Sequence, residues 1–220
     1  MIYVLTMGVM TALKVKFIEG NAGFMSLVAL ALVLGLAFCI ERIIFLSLSE
    51  INTKRLMQQV EDRLKADDVE GAKTVCRNMR GPVASICYQA LMHIKEPLYD
   101  ISRAVTNYGS VQTSMLEKGC SWIKLFIAMA PSLGFLGTVI GMVMAFDNIQ
   151  AAGDISPTIV ASGMKVALIT TIFGIIVALV LQCFYNFILS KIENIEMQME
   201  DSFVTMMDII TKYKGDGKKD

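Results

Sequence analysis

The sequence predicts an all-α membrane protein with three transmembrane helices and long cytoplasmic helical extensions. Hydrophobic residues make up 55% of the 220 residues and charged residues only 18%, below the roughly 25% of ordinary soluble domains. Three apolar stretches each have the length of about 20 residues that crosses the hydrocarbon core of a bilayer. Apolar residues then continue at helical spacing beyond the third stretch.

The composition and motifs exclude several functional classes. Twenty basic and twenty acidic residues give a net charge of zero, so no nucleic-acid partner is expected. The five cysteines show no CxxC spacing and His93 has no Cys or His at metal-ligand distance in sequence, so we expect neither a metal site nor a disulfide scaffold. No Walker loop, nucleophile elbow or dinucleotide fingerprint is present, so we expect no enzyme and no cofactor.

Residues 1–21 carry apolar side chains near helical spacing, which predicts an amphipathic helix on the outer membrane face. A partly disordered end is the alternative. Residues 22–46 form the first predicted transmembrane helix, because residues 22–40 contain no charge and Glu41 and Arg42 follow them. A cleaved signal peptide is disfavoured, since the apolar run is long for a signal core.

The sequence predicts a region of cytoplasmic helical hairpins over residues 47–121. Asn52 or Thr53 can cap a first helix, and breaks are expected at Gly81–Pro82 and at Pro97. Mixed charges alternate with apolar residues in this region, which is typical of a helical bundle in water. We expect His93 to be packed or solvated there.

The second half of the chain holds two further transmembrane helices. They are predicted over residues 122–147 and 163–190, with an outer connection over residues 148–162. Residues 191–213 continue the third helix into the cytoplasm, and residues 214–220 are predicted to be disordered. The continuing helix carries an apolar stripe at spacings of three and four: Ile188, Ile192, Ile195, Met199, Phe203, Met206 and Ile210.

The distribution of basic residues predicts the orientation. The segment from Arg42 through Lys118 contains eleven Lys and Arg residues, five follow the third span, and the connection from Asp147 through Lys165 contains one, Lys165 itself. The two basic segments should be cytoplasmic by the positive-inside rule. The N-terminus is then outside and the C-terminus inside.

Small residues recur at helical spacing in the second and third spans, a common device for packing helices closely in membranes. In the second span they are Pro131, Gly134, Thr138, Gly141 and Ala145, and Gly137 adjoins them. In the third span they are Gly163, Ala167, Thr171, Gly174 and Ala178. Helix packing by itself would explain this pattern.

Hydroxyl groups on these faces suggest a second role. Thr138 and Thr171, with Thr170 beside the latter, could form a polar ring in an oligomer, and the polar character continues toward the cytoplasm at three residues: Gln182, Tyr185 and Asn186. The apolar cores of the three spans, residues 22–40, 125–146 and 166–189, contain no Asp, Glu, Lys, Arg or His. A proton relay needs an ionisable group, so either the chain conducts nothing or a partner helix supplies a carboxylate.

Two segments carry a resemblance to a known family. Residues 130–142 read APSLGFLGTVIGM and precede Ala145–Phe146; residues 167–174 read ALITTIFG and precede Val177–Ala178 and Tyr185–Asn186. These segments, with Glu41–Arg42 after the first span, closely resemble the signatures of the MotA/TolQ/ExbB proton-channel family. With three spans and an outside N-terminus, the chain resembles the ExbB/TolQ branch of this family rather than its longer flagellar stators.

The resemblance implies a homo-pentamer in the bacterial inner membrane, around the single spans of an ExbD/TolR-like partner dimer that carries a membrane Asp. It implies that the proton motive force drives this motor and that force reaches a TonB- or TolA-like protein. Thr138 and Thr171 would face the partner's Asp. Where the family carries Glu and Pro in the third span, this chain has Val166 and Val180, which leaves the uptake route and the choice of proton or sodium open.

Two other functional classes remain open. One is a passive or gated channel formed by a three-span homo-oligomer, and the other is a membrane scaffold that uses its glycines for packing only. A single-span partner with a membrane Asp would separate the motor from both. Within the family, the sequence leaves the load open among outer-membrane import, envelope maintenance and motility.

Overall fold

The computed structural model describes residues 22–153 and 157–216, and this part of the chain contains helices and no strand. The described helices are α1 (Ala22–Ser49), α2 (Thr53–Lys65), α3 (Val69–Asn78), α4 (Pro82–Met92), α5 (Leu98–Glu117), α6 (Cys120–Ala152) and α7 (Pro157–Asp216). The predicted amphipathic helix over residues 1–21 lies outside the described residues, as do residues 217–220 of the predicted tail.

Three of the described helices are long and apolar enough to cross a membrane, and they contain the three predicted spans. The predicted all-α class with three spanning helices is therefore confirmed. The chain divides into two compact units. The membrane unit contains residues 22–40 and Gly119–Asn186, and the hairpin unit contains Glu41–Lys118 and residues 187–216.

In the membrane unit, α1 contacts both other spanning helices. The Phe38 ring stacks on Trp122 and on Phe126 of α6, with 6.1 Å between ring centroids in both pairs. Gly35 faces α7, where a Cβ atom on this glycine would lie 2.7 Å from Cδ1 of Leu181. Helices α1, α6 and α7 therefore form one packed group in this unit.

In the hairpin unit, α2 packs against α3, α3 against α4, and α4 against α5. The side chain of Asn52 accepts a hydrogen bond from the backbone N–H of Arg55 at 3.1 Å and caps α2, as the sequence predicts. Asp68 caps α3 in the same way through the N–H of Gly71 at 2.8 Å. The predicted breaks are found, because α4 begins at Pro82 and α5 begins after Pro97.

Large apolar side chains fill the core of the hairpin unit. The fully buried ones in α2, α4 and α5 are Leu56, Leu91 and Ile101, and those in α7 are Ile188, Ile192, Met206 and Ile210. Helix α7 continues without interruption through Asp216, and its buried side chains follow the predicted apolar stripe. Phe203 alone in that stripe is only half-buried.

Two predicted boundaries differ from the structure. Within the predicted connection over residues 148–162, α6 continues to Ala152 and α7 begins at Pro157. The helix ends because Gly153 has a positive φ of 67° and donates its N–H to the Ile149 carbonyl. The predicted disordered tail also starts too early, since Lys214, Gly215 and Asp216 are helical.

The five cysteines form no disulfide with one another, and Cys183 is the exposed one. His93 is half-buried, and its ring nitrogens contact the Glu96 carboxylate at 2.8 Å and the Gln89 amide at 3.1 Å. This environment agrees with the expected packed histidine.

Candidate functional site

Helices α6 and α7 approach each other through their backbones. A Cβ atom on Gly174 would lie 2.5 Å from the carbonyl oxygen of Ala130, and one on Gly134 would lie 3.0 Å from the carbonyl oxygen of Thr170. Backbone atoms cannot move aside as a flexible side chain can. Both positions therefore need glycine, as expected for helices that pack closely in lipid.

The same contact continues along the two helices. A Cβ atom on Gly141 would lie 3.2 Å from the Cβ of Ala167, and one on Gly163 would overlap the Cβ of Ala145. The predicted seam residues Gly134, Gly141 and Gly174 therefore lie at one helix–helix contact. Pro131 and Ala178, which belong to the same prediction, are half-buried.

Gly137 and Thr170 lie at a different contact. A Cβ atom on Gly137 would lie 2.7 Å from Cγ2 of Thr170 and 3.3 Å from Cβ of Phe24 in α1. Thr170 has no exposed surface, and its hydroxyl donates to the Val166 carbonyl of its own helix at 3.1 Å. The structure thus places Thr170 in the packing between helices, with no exposed surface in this chain.

The Thr138 and Thr171 side chains meet between α6 and α7, and their hydroxyl oxygens are in direct contact. The Thr138 hydroxyl also lies 3.1 Å from the Ala167 carbonyl oxygen, and the Thr171 hydroxyl lies 3.2 Å from the Gly134 carbonyl oxygen. Both side chains are half-buried. The narrow glycine seam is what allows two side chains this short to reach each other from different helices.

The hydroxyl pair has more acceptor capacity than donor capacity. Two hydroxyl protons are available: one lies between the two hydroxyl oxygens, and the other can go to the carbonyl of Gly134 or of Ala167. The remaining oxygen lone pairs can accept a hydrogen bond from a neutral carboxylic acid. If a hydroxyl turns away from its carbonyl, it can donate instead to an ionised carboxylate.

No charged side chain belongs to this site. Residues 125–146 and 166–189 contain no Asp, Glu, Lys, Arg or His. In the part of the chain that the structure describes, no group of three His, Cys, Asp or Glu residues could hold a metal ion. The site can therefore stabilise an ionisable group from elsewhere but supplies none itself.

The three residues predicted for the cytoplasmic end do not form one cluster. The Gln182 amide donates to the Asn186 side-chain oxygen at 3.1 Å, one helical turn further along α7. Gln182 lies on the same helix face as Thr171, eleven residues away. Tyr185 is buried instead, and the Lys124 ammonium lies 5.5 Å from the centre of its ring.

The sequence analysis missed Gly35 and the Phe38 aromatic cluster. Small residues mark the α6–α7 contact, and they also recur at every fourth position of α1, at Ala31, Gly35 and Cys39, all three of which are buried. The lipid-facing and inward-facing residues of α1 are both apolar, so hydrophobicity does not separate the two faces. The spacing of the small residues could have identified the inward face of α1.

Comparisons with known proteins agree with this geometry. Residues 78–201, more than half of the chain, match the model of the MotA/TolQ/ExbB proton channel family. The chain is 28% identical over 169 residues to a protein of Methanothermobacter thermautotrophicus named as a biopolymer transport ExbB homolog, covering 76% of this chain and 60% of that protein. A Synechocystis protein named as ExbB-like 1 is 29% identical over 168 residues, covering 74% of this chain and 65% of its own length.

The chain thus spans less than two thirds of the length of either relative. Its structure also resembles that of Campylobacter jejuni MotAB, with a TM-score of 0.51 at 16% identity, covering 92% of this chain and 73% of that one. This likeness concerns the fold. The family match covers the hydroxyl pair, the glycine seam and the hairpins from Asn78 onward, and on this basis the chain belongs to the MotA/TolQ/ExbB proton channel family.

Proposed function

We propose that the chain is an ExbB/TolQ-like subunit of a motor in the bacterial inner membrane, driven by the proton motive force. Five copies surround the single spans of an ExbD/TolR-like partner dimer that brings a membrane Asp. The motor energises TonB-type outer-membrane transport or envelope processes through a TonB- or TolA-like protein. Family membership and the ExbB names of the relatives support this proposal.

The hydroxyl contact between Thr138 and Thr171 is the observation that carries the proposal. A pure scaffold can use such hydroxyls as hydrogen bonds between helices, so the contact supports the proposal together with the family match and the lack of an ionisable group in the apolar cores of the spans. A proton path needs an ionisable group, and the apolar cores of the spans, residues 22–40, 125–146 and 166–189, have none. A site that can bind both forms of a carboxyl group, in membrane helices that lack one, fits a partner that supplies it.

In the proposed cycle, the hydroxyls of Thr138 and Thr171 donate to the partner's carboxylate while it is ionised. When a proton arrives from outside, the carboxyl group becomes neutral and the hydroxyl oxygens accept from it instead. The neutral group leaves the site at low cost, because an apolar surrounding penalises the charged form most. The partner can then turn to the next subunit and release the proton inward.

The driving force is adequate for such a step. One elementary charge that crosses a membrane potential of 100 mV releases about 2.3 kcal/mol. A few protons therefore supply the energy of one conformational step in a partner protein. No nucleotide is required, which agrees with the lack of a Walker loop in the sequence.

Gln182 and Asn186 form the proposed inner end of the path, since their hydrogen-bonded pair lies toward the basic, cytoplasmic flank of α7. The N-terminus is outside and the C-terminus inside in this arrangement. At the outer end, Val166 replaces the usual acidic residue and is half-buried. Proton uptake therefore depends on groups other than a carboxylate at that position, and sodium remains a second candidate ion.

Native mass spectrometry of the complex, purified from its own membrane in mild detergent, tests this proposal. Five copies of this chain with two single-span chains that carry an Asp in the span are expected. A homo-oligomer without another chain would contradict the motor and favour a passive channel. A monomer bound to several unrelated membrane proteins would favour a scaffold.

A further inference from the structure

A cavity of about 700 Å³ lies in the hairpin unit between α5 and α7. Four small residues of α5 form one side: Thr106, Gly109, Ser110 and Thr113. The α7 side includes two carboxylates and an apolar side chain: Glu196, Glu200 and Val204. The cavity is open to the surface, so it is a groove that a segment of another chain can enter.

The α5 side of the groove leaves room for a chain that comes close. The Thr106 and Ser110 hydroxyls donate to carbonyl oxygens one turn earlier in α5, so they are directed along their own helix. A Cβ atom on Gly109 would meet nothing within 4 Å. A glycine inside a helix weakens that helix, and the packing within this chain does not require one here. Close approach of another chain would account for it.

Two carboxylates make the α7 side acidic. Glu196 and Glu200 lie one turn apart, and neither forms an ion pair with another residue in the described ranges. Arg103 is on the groove face of α5, but it lies about one turn before Thr106, outside the lining and at the end of the groove away from the membrane. A basic segment that leaves the membrane would therefore meet the two carboxylates first.

The two carboxylates continue a polar series along α7. Its members recur at spacings of four, seven, three and four residues in one uninterrupted helix: Gln182, Asn186, Glu193, Glu196 and Glu200. At 3.6 residues per turn, all of them lie within about 40° of Gln182 around the helix. The periodicity therefore assigns the acidic residues to the helix face that carries the proposed inner end of the ion path.

We propose that this groove binds the basic cytoplasmic segment that precedes the membrane span of the single-span partner. A partner that acts on envelope proteins carries its main domain outside, and Lys and Arg then collect on its cytoplasmic flank by the positive-inside rule. Opposite charge selects this flank for the acidic side of the groove. The inference rests on the proposed function, since it assumes such a partner.

The contact has to be reversible. Five copies of this chain offer five grooves, whereas the proposed partner dimer brings two segments, so each segment leaves one groove for another as the partner turns. Ion pairs at an open groove suit this exchange, because solvent and salt screen them.

The length of α7 predicts which partner residues reach the groove. Glu196 and Val204 lie seven and fifteen residues beyond Leu189, where the apolar core of the third span ends. At a rise of 1.5 Å per residue these distances are about 10 and 22 Å. An extended segment advances about 3.3 Å per residue. The basic residues of the partner are therefore expected about three to seven residues before its span.

Photo-cross-linking in the native membrane tests this contact. Val204, which is 60% exposed, is replaced by p-benzoylphenylalanine, and the illuminated complex is purified for peptide mass spectrometry. We expect a product with a single-span chain, joined about seven residues before its span. The matched control places p-benzoylphenylalanine at Asn194, an exposed position roughly 120° from Glu200 around α7. This control should give no such product.

Each other outcome contradicts the proposal. A Val204 product that contains only a second copy of this chain would overturn the choice of occupant. The absence of any Val204 product would overturn the docking site. Equal yields of the partner product from Val204 and Asn194 would show that the partner does not select the groove.

Charge reversal tests the role of the two carboxylates. Glu196→Arg with Glu200→Arg should lower the yield of the partner product about fivefold or more, because like charges then face each other. Asp201→Arg with Asp208→Arg makes the same change in net charge at exposed positions of α7 outside the groove lining. This control should stay within about twofold of the original yield. Equal losses in the two variants would contradict a contact at Glu196 and Glu200.

Native mass spectrometry of the same complex separates this inference from the proposed function. Five copies with two single-span chains, but without a Val204 product, contradict the docking contact and leave the motor standing. A complex without a single-span chain contradicts both. A Val204 product with a single-span chain that lacks an Asp in its span supports the docking contact and contradicts the motor.

Discussion

In the membrane unit, α6 and α7 meet through glycines and alanines, whereas the helices of the hairpin unit meet through Leu, Ile and Met side chains. Gly134 and Gly174 lie at backbone contacts, while Leu91 and Met206 are large residues without exposed surface. Lipid is as apolar as leucine, so large side chains gain little by leaving it. In water the burial of large apolar side chains is favourable, so the hairpin unit is stabilised by such side chains.

This difference also explains where the candidate site lies. Two short hydroxyl side chains can meet only where two backbones come close, and the glycine seam provides that approach for Thr138 and Thr171. In the hairpin unit, large buried side chains such as Leu91 and Met206 fill the space between the helices instead.

Substitution of a large core residue should have the largest effect on stability in the hairpin unit. Leu91→Ala leaves a cavity and should cost about 2–5 kcal/mol. The neighbouring Met92 is 52% exposed, so Met92→Ala should cost less than about 1 kcal/mol. Thermal unfolding of the full chain in detergent measures both. Equal losses would show that this unit does not depend on its apolar core.

Adding one methyl group to the seam should have the next largest effect. Gly174→Ala forces a Cβ atom against the Ala130 carbonyl and should cost about 1–3 kcal/mol through overpacking. Gly141→Ala adds the same methyl group where the nearest atom is a side-chain carbon at 3.2 Å, and should cost less. The two variants are compared by unfolding in detergent. A more stable Gly174→Ala protein would mean that the backbones are not in contact there.

Loss of a helix cap should cost less than either change. Asn52→Ala removes the acceptor for the Arg55 N–H and should lower stability by about 1 kcal/mol. Asn52→Ser keeps a side-chain oxygen at this position and should stay within a few tenths of a kcal/mol. Faster hydrogen exchange in the first turn of α2, in the alanine variant only, is the expected result.

The smallest expected effect is at the end of α7. The Tyr213 hydroxyl donates to the Asp67 carboxylate at 2.5 Å, which raises the pKa of Tyr213. Because the folded protein favours the neutral phenol, this contribution is present below about pH 10 and is lost as the pH rises above it. Tyr213→Phe should therefore be about 0.5 kcal/mol less stable at pH 8. The difference should narrow at pH 11 in thermal unfolding, and a constant difference would exclude this linkage.

The sequence predicts the architecture well because its signals are local. Runs of apolar residues define the three spans, and the Gly81–Pro82 and Pro97 breaks separate the hairpins at the places where the structure ends its helices. The stripe on α7 follows from its periodicity alone. The boundary at Gly153 is less predictable, because helix-forming residues extend α6 beyond the charged residue that ends the apolar run.

The site was predictable only in part. Spacing within each helix identifies the small residues and the threonines, and Thr138 and Thr171 do meet. Spacing cannot distinguish Thr170 from Thr171, because that depends on how α1 covers the seam through Phe24 and Gly137. The separation of Tyr185 from Gln182 and Asn186 likewise depends on the position of Lys124 in a different helix.

Proton uptake into liposomes that contain the purified complex tests the role of the hydroxyl pair most directly. Thr138→Val and Thr171→Val keep the shape of the side chain and remove its hydroxyl, and each should slow uptake about tenfold, the equivalent of one lost hydrogen bond. Thr170→Val makes the same change in the adjacent, fully buried threonine and should stay within about twofold of the original rate. Normal uptake in both Thr138→Val and Thr171→Val, or an equal loss in Thr170→Val, would contradict a path through this pair.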